Sequence, residues 1–90
     1  MNFKISYKED FLKDIETHKK SGQIKLLSKI SGFVSEIRID PRSGTGKPEH
    51  LKFMKVETWS RRINAKHRLI YEINGDQVSL LSAWGHYDDK

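Results

Sequence analysis

The chain has 90 residues, of which 36 % are hydrophobic and 32 % charged, and its formal net charge is +5. A chain of this length forms one small domain, here residues 1–90, that buries somewhat over ~60 % of its unfolded surface, which disfavours a second domain and a deep small-molecule cleft. Cysteine is absent, which excludes disulfides, thiol nucleophiles and cysteine-based zinc sites. No early apolar run is long enough for a signal peptide or a membrane span, so we expect a cytoplasmic protein without a membrane partner.

The N-terminal part of the chain is predicted to form a strand and two helices. Residues 3–5 alternate like a short strand, and Ser6 with Glu9 has the spacing of a capping box, so the first helix is predicted to start near Tyr7. A second run of apolar residues at helical spacing follows, and the Asp-Pro pair at 40–41 is predicted to stop it. The two helices should pack as a hairpin.

A basic loop follows the second helix. Residues 42–48 read Arg-Ser-Gly-Thr-Gly-Lys-Pro, which predicts a flexible loop whose spacing does not match a nucleotide-binding phosphate loop. Residues 41–70 hold eight basic and two acidic residues, a net +6, whereas the rest of the chain holds nine basic and ten acidic, a net −1. Clustered Lys and Arg favour a polyanionic partner, because they release counterions from a phosphate backbone; the alternative is a solvated face.

The second half of the chain is strand-like. Strands are predicted at 51–54, 59–63, 68–73 and 78–84, with a two-residue turn at Asn74-Gly75 and a weaker hairpin at 64–66. The predicted fold class is therefore α+β: an N-terminal strand, added at a sheet edge, and a two-helix hairpin packed on an antiparallel β-sheet.

Strand alternation assigns side chains to the two faces of this sheet. Leu69, Tyr71 and Ile73 are predicted to point towards the helices. Arg68 should then stand on the opposite, open face, where Arg62 or Arg61 can join it across the ladder.

Three kinds of residue needed to cleave RNA without a metal are present. The reaction requires a base for the 2′-hydroxyl, cations for the crowded phosphorane and an acid for the departing 5′-oxygen. Glu49 can serve as the base, Arg68 with Lys52 or Arg62 as the cations, and His86 as the acid, since histidine titrates near neutral pH.

Each of these residues also has a structural interpretation. Glu49 can be an exposed loop carboxylate, and His86 can be a surface residue near the chain end. Arg68 can form a cross-strand pair with Glu72 or Glu57.

The remaining histidines and the aromatic residues are assigned mainly to structure. Three histidines lack partners at metal-ligand spacing, which favours surface positions and no metal site: they are His18, His50 and His67. Trp59 and Tyr71 are predicted to pack in the core. Tyr87, beside His86, is placed to meet a phosphate or a base.

Four strings, in this order and with similar gaps, resemble the YoeB/Txe toxins of the RelE superfamily. They are Gly-Thr-Gly-Lys-Pro-Glu-His-Leu-Lys at 44–52, Trp-Ser-Arg-Arg-Ile at 59–63, His-Arg-Leu-Ile-Tyr at 67–71 and His-Tyr at 86–87, so that the resemblance covers essentially the whole chain. It implies the RelE-like α+β fold and a metal-independent, cofactor-free endoribonuclease that cleaves mRNA in the ribosomal A site. It further implies a homodimer and a cognate antitoxin that neutralises the toxin and helps it bind operator DNA.

The resemblance also implies roles for individual residues. Glu49 corresponds to the general base, Arg68 to the phosphate-stabilising cation, His86 to the general acid and Tyr87 to an adjacent functional tyrosine. Basic residues expected to bind the RNA are Lys47, Lys52, Arg61 and Arg62.

Two features depart from the family pattern. Family chains commonly end at the His-Tyr pair, whereas Asp88-Asp89-Lys90 follow it here, and Gly85 stands where relatives often have Tyr. Two other functions stay open: a non-catalytic toxin of the related gyrase-poisoning branch, and a plain nucleic-acid-binding module.

Overall fold

A computed structural model describes residues 2–85 and has an α+β architecture. Its elements are β1 (Lys4–Tyr7), α1 (Glu9–Lys20), α2 (Ile24–Ile39), β2 (Glu49–His50), β3 (Thr58–Arg62), β4 (Arg68–Asn74) and β5 (Gln77–Ser82). The strand order across the sheet is β1-β5-β4-β3-β2. Neither helix within residues 2–85 is long and apolar enough to cross a membrane.

The sheet is mixed rather than wholly antiparallel. β1 lies at an edge, as predicted, and pairs with β5 in parallel, while β2, β3, β4 and β5 pair antiparallel in turn. The two strands of the parallel pair are far apart in the chain, separated by both helices and by β2, β3 and β4.

The two helices differ in how well the sequence predicts their ends. α2 ends at Ile39 with Asp40 as its C-cap, as the Asp-Pro signal predicts. The capping box is wrong, because α1 begins at Glu9 with Lys8 as its N-cap and no side-chain cap bond. Ser6 instead belongs to β1, where it pairs with Ser79 and is held extended.

The core lies between the helical hairpin and one face of the sheet. The helices supply Phe11, Leu26, Ile30, Phe33 and Ile37, and the sheet supplies Leu69, Tyr71, Ile73, Val78 and Leu80. This confirms the predicted orientation of alternate residues in β4. Arg68 and Glu72 alternate with the core residues, so they belong to the open face, which we define as the sheet face opposite the helices.

The predicted strand at 51–54 is wrong. The β2–β3 ladder pairs Glu49 with Ser60 and His50 with Trp59. The Leu51 N–H then donates to Thr58 O at 2.8 Å, and the Met54 N–H donates to Leu51 O at 3.2 Å, so the chain turns instead of extending.

One of the two hairpin predictions is confirmed, and the other is wrong by one residue. In the β4–β5 hairpin, Asn74 pairs with Gln77, so the two loop residues are Gly75 and Asp76, one position later than predicted. Gly75 has a φ of +62°, which glycine adopts at no steric cost. The hairpin at 64–66 is confirmed, and the Asn64 side chain caps it by accepting the N–H of Lys66 and of His67, each at 2.8 Å.

Candidate active site

Glu49 and Arg68 meet on the open face. The Arg68 Nη1 atom lies 3.8 Å from Glu49 Oε1, and the Glu49 side chain is 64 % exposed against 25 % for Arg68. A pair at this separation with one exposed member contributes little stability, and Arg68 is still partly accessible, so both groups remain available to a ligand. Within residues 2–85 the ion-pair partner of Arg68 is Glu49, and not Glu57 or Glu72, the two partners that a purely structural interpretation suggests.

Arg62 adds a second cation beside this pair. It lies directly opposite Arg68 in the β3–β4 ladder and is exposed. Like charges placed opposite each other in a sheet repel, so the two guanidinium groups favour an anion between or above them. The open face thus presents a carboxylate and two guanidinium groups within one small area.

Lys47 and Lys52 flank the site on the two sides of β2, and both are exposed. Lys47 has a φ of +48° and is the one non-glycine residue between 2 and 85 with a positive φ. The residue before it is tied to β3, because Gly46 O accepts the Arg62 N–H at 2.7 Å. The loop is thereby held beside β3 immediately before Glu49.

Arg61 has a structural role, and its assignment as an RNA-binding residue is wrong. Its side chain is fully buried, because strand alternation turns it to the helix side, opposite Leu69 in the ladder. Its guanidinium donates to Glu36 Oε1 and to Ser43 O, each at 2.6 Å, and its Nε donates to the Tyr71 hydroxyl at 3.0 Å. Strand alternation distinguishes the two arginines. Arg62 lies on the same face as Arg68, so Arg61, one residue earlier, lies on the opposite face with Leu69.

The loop between α2 and β2 is irregular, as predicted, yet it is bonded to the core. The Glu36 carboxylate accepts the N–H of Thr45 at 2.8 Å and its hydroxyl at 2.7 Å. These two hydrogen bonds, together with that of Arg61, lower the pKa of Glu36. The buried Tyr71 hydroxyl donates to Pro41 O at 2.7 Å, and burial raises the pKa of Tyr71.

A second network, which the sequence did not indicate, supports the other side of β2. Arg42 donates to both carboxylate oxygens of Glu57, at 2.7 and 2.9 Å, and Trp59 Nε1 donates to the same carboxylate at 2.9 Å. The Arg42 hydrogen bond is the main reason that the pKa of Glu57 falls to about 2. The Trp59 ring stacks on His50, with centroids 5.1 Å apart, and this contact supports the residue next to Glu49.

The other two histidines occupy different environments. His18 is buried and its Nε2 bonds to Ala83 O at 2.9 Å, so its predicted surface position is wrong. It is buried because its side of α1 packs against the end of β5. His67 is half-buried. Between residues 2 and 85 there is no group of three His, Asp or Glu side chains that could hold a metal ion.

The predicted acid, His86, and its neighbour Tyr87 lie outside the described residues, as do Asp88-Asp89-Lys90. The structure describes the chain up to Gly85, the residue before His86. Gly85 O accepts the Arg68 N–H at 3.0 Å. The chain is therefore bonded to the backbone of Arg68 one residue before the predicted acid.

Comparison with known proteins identifies the family. Residues 7–87 match the family model for the YoeB-like toxin of bacterial type II toxin-antitoxin systems. The chain belongs to the YoeB family of toxins. Toxin YoeB of Mycobacterium bovis is 39 % identical over 87 residues, which are 97 % of this chain and 96 % of that protein.

Solved structures of YoeB proteins agree with this result. The YoeB dimer from Staphylococcus aureus gives a TM-score of 0.81 at 28 % identity, covering 97 % of this chain and 100 % of that one. YoeB in the heterotetrameric YoeB-YefM toxin-antitoxin complex from the same organism gives a TM-score of 0.77 at 28 % identity, with the same coverage. The YoeB family and its α+β fold, both implied by the sequence motifs, are confirmed.

Proposed function

We propose that this YoeB-family toxin is a metal-independent endoribonuclease that cleaves mRNA in the ribosomal A site and so inhibits translation. The observation that carries the proposal is the meeting of Glu49 and Arg68 on an open, basic sheet face, with Arg62 directly opposite Arg68. A phosphodiester that enters between them meets a base and two cations together. Because the proposed substrate is mRNA on the ribosome, we propose that the toxin acts in the cytoplasm.

The proposed reaction is a transesterification at one phosphodiester of the RNA backbone. The Glu49 carboxylate takes the proton of a 2′-hydroxyl, and the 2′-oxygen forms a bond to phosphorus. Arg68 and Arg62 stabilise the charge that accumulates on the phosphorane oxygens. The bond to the 5′-oxygen then breaks, and His86 protonates that oxygen, which leaves a 2′,3′-cyclic phosphate and a 5′-hydroxyl.

The loose contact between Glu49 and Arg68 suits these roles. At 3.8 Å it is longer than a charge-assisted hydrogen bond, so a phosphate oxygen can replace the carboxylate as the partner of Arg68. The carboxylate is then released to act on the 2′-hydroxyl. Lys47 and Lys52 hold the neighbouring phosphates, and Tyr87 contacts a phosphate or base beside His86.

We further propose that the toxin pairs with a cognate antitoxin, forms a homodimer and reaches operator DNA through the antitoxin. Support for the first two comes from the Staphylococcus aureus relatives, one solved as a dimer and one in a complex with YefM. Both cover 97 % of this chain, so the fold that forms their interfaces is shared over nearly its whole length.

Primer extension on mRNA that is being translated in a purified system tests the activity. Wild-type protein should produce cuts, whereas Glu49→Gln and His86→Ala should each lose roughly 10²- to 10⁴-fold in rate. Glu72→Gln is the matched control, because it neutralises another carboxylate on the same sheet face and should cleave normally. Equal cleavage by wild-type and His86→Ala protein would contradict the role of the acid.

Two other outcomes would replace the proposed function. Growth arrest that persists in Glu49→Ala and is accompanied by DNA-damage signalling would favour a gyrase poison. Tight, salt-sensitive binding to bare RNA without any cut product would favour a plain binding module.

A further inference from the structure

The end of β5 is bonded to α1. Ala83 follows β5, and its N–H donates to Asp14 Oδ2 at 2.8 Å. Its carbonyl oxygen accepts a hydrogen bond from His18 Nε2 at 2.9 Å. Both backbone polar groups of Ala83 are therefore paired with side chains of one helix.

Two residues later the chain is bonded again, this time to the start of β4. The Gly85 N–H donates to His67 Nδ1 at 2.9 Å, and the Gly85 carbonyl accepts the Arg68 N–H at 3.0 Å. Gly85 has a φ of +71°, a left-handed conformation that a larger residue adopts only with strain. Gly85, which stands where relatives often have Tyr, thus makes the bonds to both His67 and Arg68.

Ring contacts connect His18, which bonds Ala83, with His67, which bonds Gly85. The Trp84 ring centroid lies 4.5 Å from that of His67 and 5.0 Å from that of His18. The two histidine rings are themselves 4.9 Å apart. We call this arrangement the C-terminal seat; its members are Asp14, His18, His67 and the backbone of Arg68.

The hydrogen bonds define the role of one ring nitrogen in each histidine. A backbone amide can only donate, so His67 Nδ1 carries no proton and the ring is neutral, with its proton on Nε2. A carbonyl oxygen can only accept, so His18 Nε2 carries a proton. His67 therefore acts as an acceptor at one defined atom, and a side chain without an acceptor there cannot replace it.

We propose that His67 is a positioning residue for His86: its Nδ1 holds Gly85 and so fixes the backbone from which His86 follows. This inference rests on the proposed function, in which His86 is the general acid. Chain ends fray unless they are tied down, and the bond from His67 ties down Gly85, the residue before the proposed acid in the sequence. His67 and Arg68 are consecutive, so the same strand end holds the anchor of the acid and the cation of the site.

The first test compares two substitutions of His67. Asparagine can place its Oδ1 where Nδ1 lies, whereas leucine has no acceptor. On ribosome-bound mRNA we expect His67→Leu to lower kcat roughly 10- to 100-fold, because small misplacements of a catalytic group cost that much. KM should change little, since the cations that bind RNA remain, and His67→Asn should recover most of kcat. Full activity of His67→Leu, or an Asn variant as slow as the Leu variant, would overturn the proposal.

A double mutant separates positioning from general loss of structure. If His67 acts through His86, the His67→Leu/His86→Ala protein should cleave no more slowly than His86→Ala alone. A further loss in the double mutant would overturn the proposal. An inactive His86→Ala with a fully active His67→Leu would overturn the positioning role alone, whereas a fully active His86→Ala would overturn the proposed function itself.

Hydrogen exchange provides a readout that does not depend on activity. In wild-type protein the Gly85 amide should be protected from exchange, and protection should be lost in His67→Leu and kept in His67→Asn. An unprotected Gly85 amide in the wild-type protein would contradict the seat directly.

Discussion

The Oε1 atom of Glu49 lies 3.8 Å from the Nη1 atom of Arg68, although β3 separates the strands that carry them. The contact forms because Glu49 pairs with Ser60 of β3, and Arg62 on the same face of β3 pairs with Arg68. The long arginine side chain thus reaches across one strand to the carboxylate. Glu49 is exposed, Arg68 is partly exposed, and the two are loosely joined, as a site that exchanges one partner for a phosphate requires.

Replacing Arg68 should reduce activity far more than stability. We expect Arg68→Ala to lose roughly 10²- to 10³-fold in single-turnover cleavage of ribosome-bound mRNA, as for removal of a transition-state donor. Arg68→Lys should be intermediate, because a point charge lacks the bidentate geometry of a guanidinium. Loss of the ion pair should lower the free energy of unfolding by only about 0–1 kcal/mol, since its Glu49 partner is 64 % exposed. Lys29→Ala, on the exposed side of α2, is the control, and wild-type cleavage by Arg68→Ala would refute the assignment.

The adjacent residues Arg61 and Arg62 should have opposite effects when replaced. Arg61→Met should lower the free energy of unfolding by about 3 kcal/mol, because it leaves Glu36 and the Tyr71 hydroxyl without their buried donor. Arg62→Ala removes an exposed side chain and should change that free energy by less than about 0.5 kcal/mol. Urea denaturation measures both.

RNA binding provides the second half of this comparison. In a Glu49→Gln background, Arg62→Ala should weaken RNA binding and reduce the salt slope of the association constant by about 0.7, the loss of one phosphate contact to a single strand. Arg61→Met that remains folded should leave this slope unchanged. A change of slope in the Arg61 variant, or none in the Arg62 variant, would reverse the two roles.

Gly46 should tolerate no side chain. Its φ is +81°, and a Cβ atom added there would lie 2.6 Å from Phe33 Cζ in the core. Gly46→Ala should therefore destabilise the fold by more than about 2 kcal/mol, the sum of a left-handed strain of about 1 kcal/mol and an overpacking cost. Gly22→Ala is the matched control: its φ is +69° but nothing lies within 4 Å, so only the strain remains. Equal destabilisation by both substitutions would contradict the contact with Phe33.

The Arg42–Glu57 pair should make stability depend on pH in acid. The pKa of Glu57 is lowered from 4.5 to about 2, so its contribution is fully present above pH 4.5 and disappears as pH falls towards 2. Arg42→Gln should be less stable than wild-type at pH 7, and the two urea midpoints should converge as pH approaches 2. Comparing the two proteins cancels the contribution of Glu36, whose lowered pKa is set mainly by Thr45. A difference that stays constant down to pH 2 would show that Glu57 is not involved.

Local periodicity was sufficient to predict much of the fold and one member of the site. The end of α2 follows from Asp40-Pro41, and the open-face position of Arg68 follows from its alternation with Leu69 and Tyr71. Both depend only on neighbours in the chain, through the rigidity of proline and the two-residue period of a strand. Motif order alone indicated the YoeB family.

Other features depended on distant partners. The capping box failed because Ser6 pairs with Ser79, at the other end of the sequence. The strand at 51–54 failed because the chain turns at Leu51, whose carbonyl oxygen accepts the Met54 N–H. His18 is buried because it meets Ala83, a contact that no local pattern in α1 indicates.

The sequence by itself therefore determined the fold class, the family and the residue types of the proposed nuclease site. Only the tertiary structure decided that Arg61 supports the core while Arg62 faces the open side, that Glu49 reaches Arg68 across β3, and that Gly85 is held at the start of β4. The physical reason is the same in each case. Spacing along the chain specifies which side of an element a residue occupies, whereas the partner that it meets depends on strand register and packing between elements far apart in sequence.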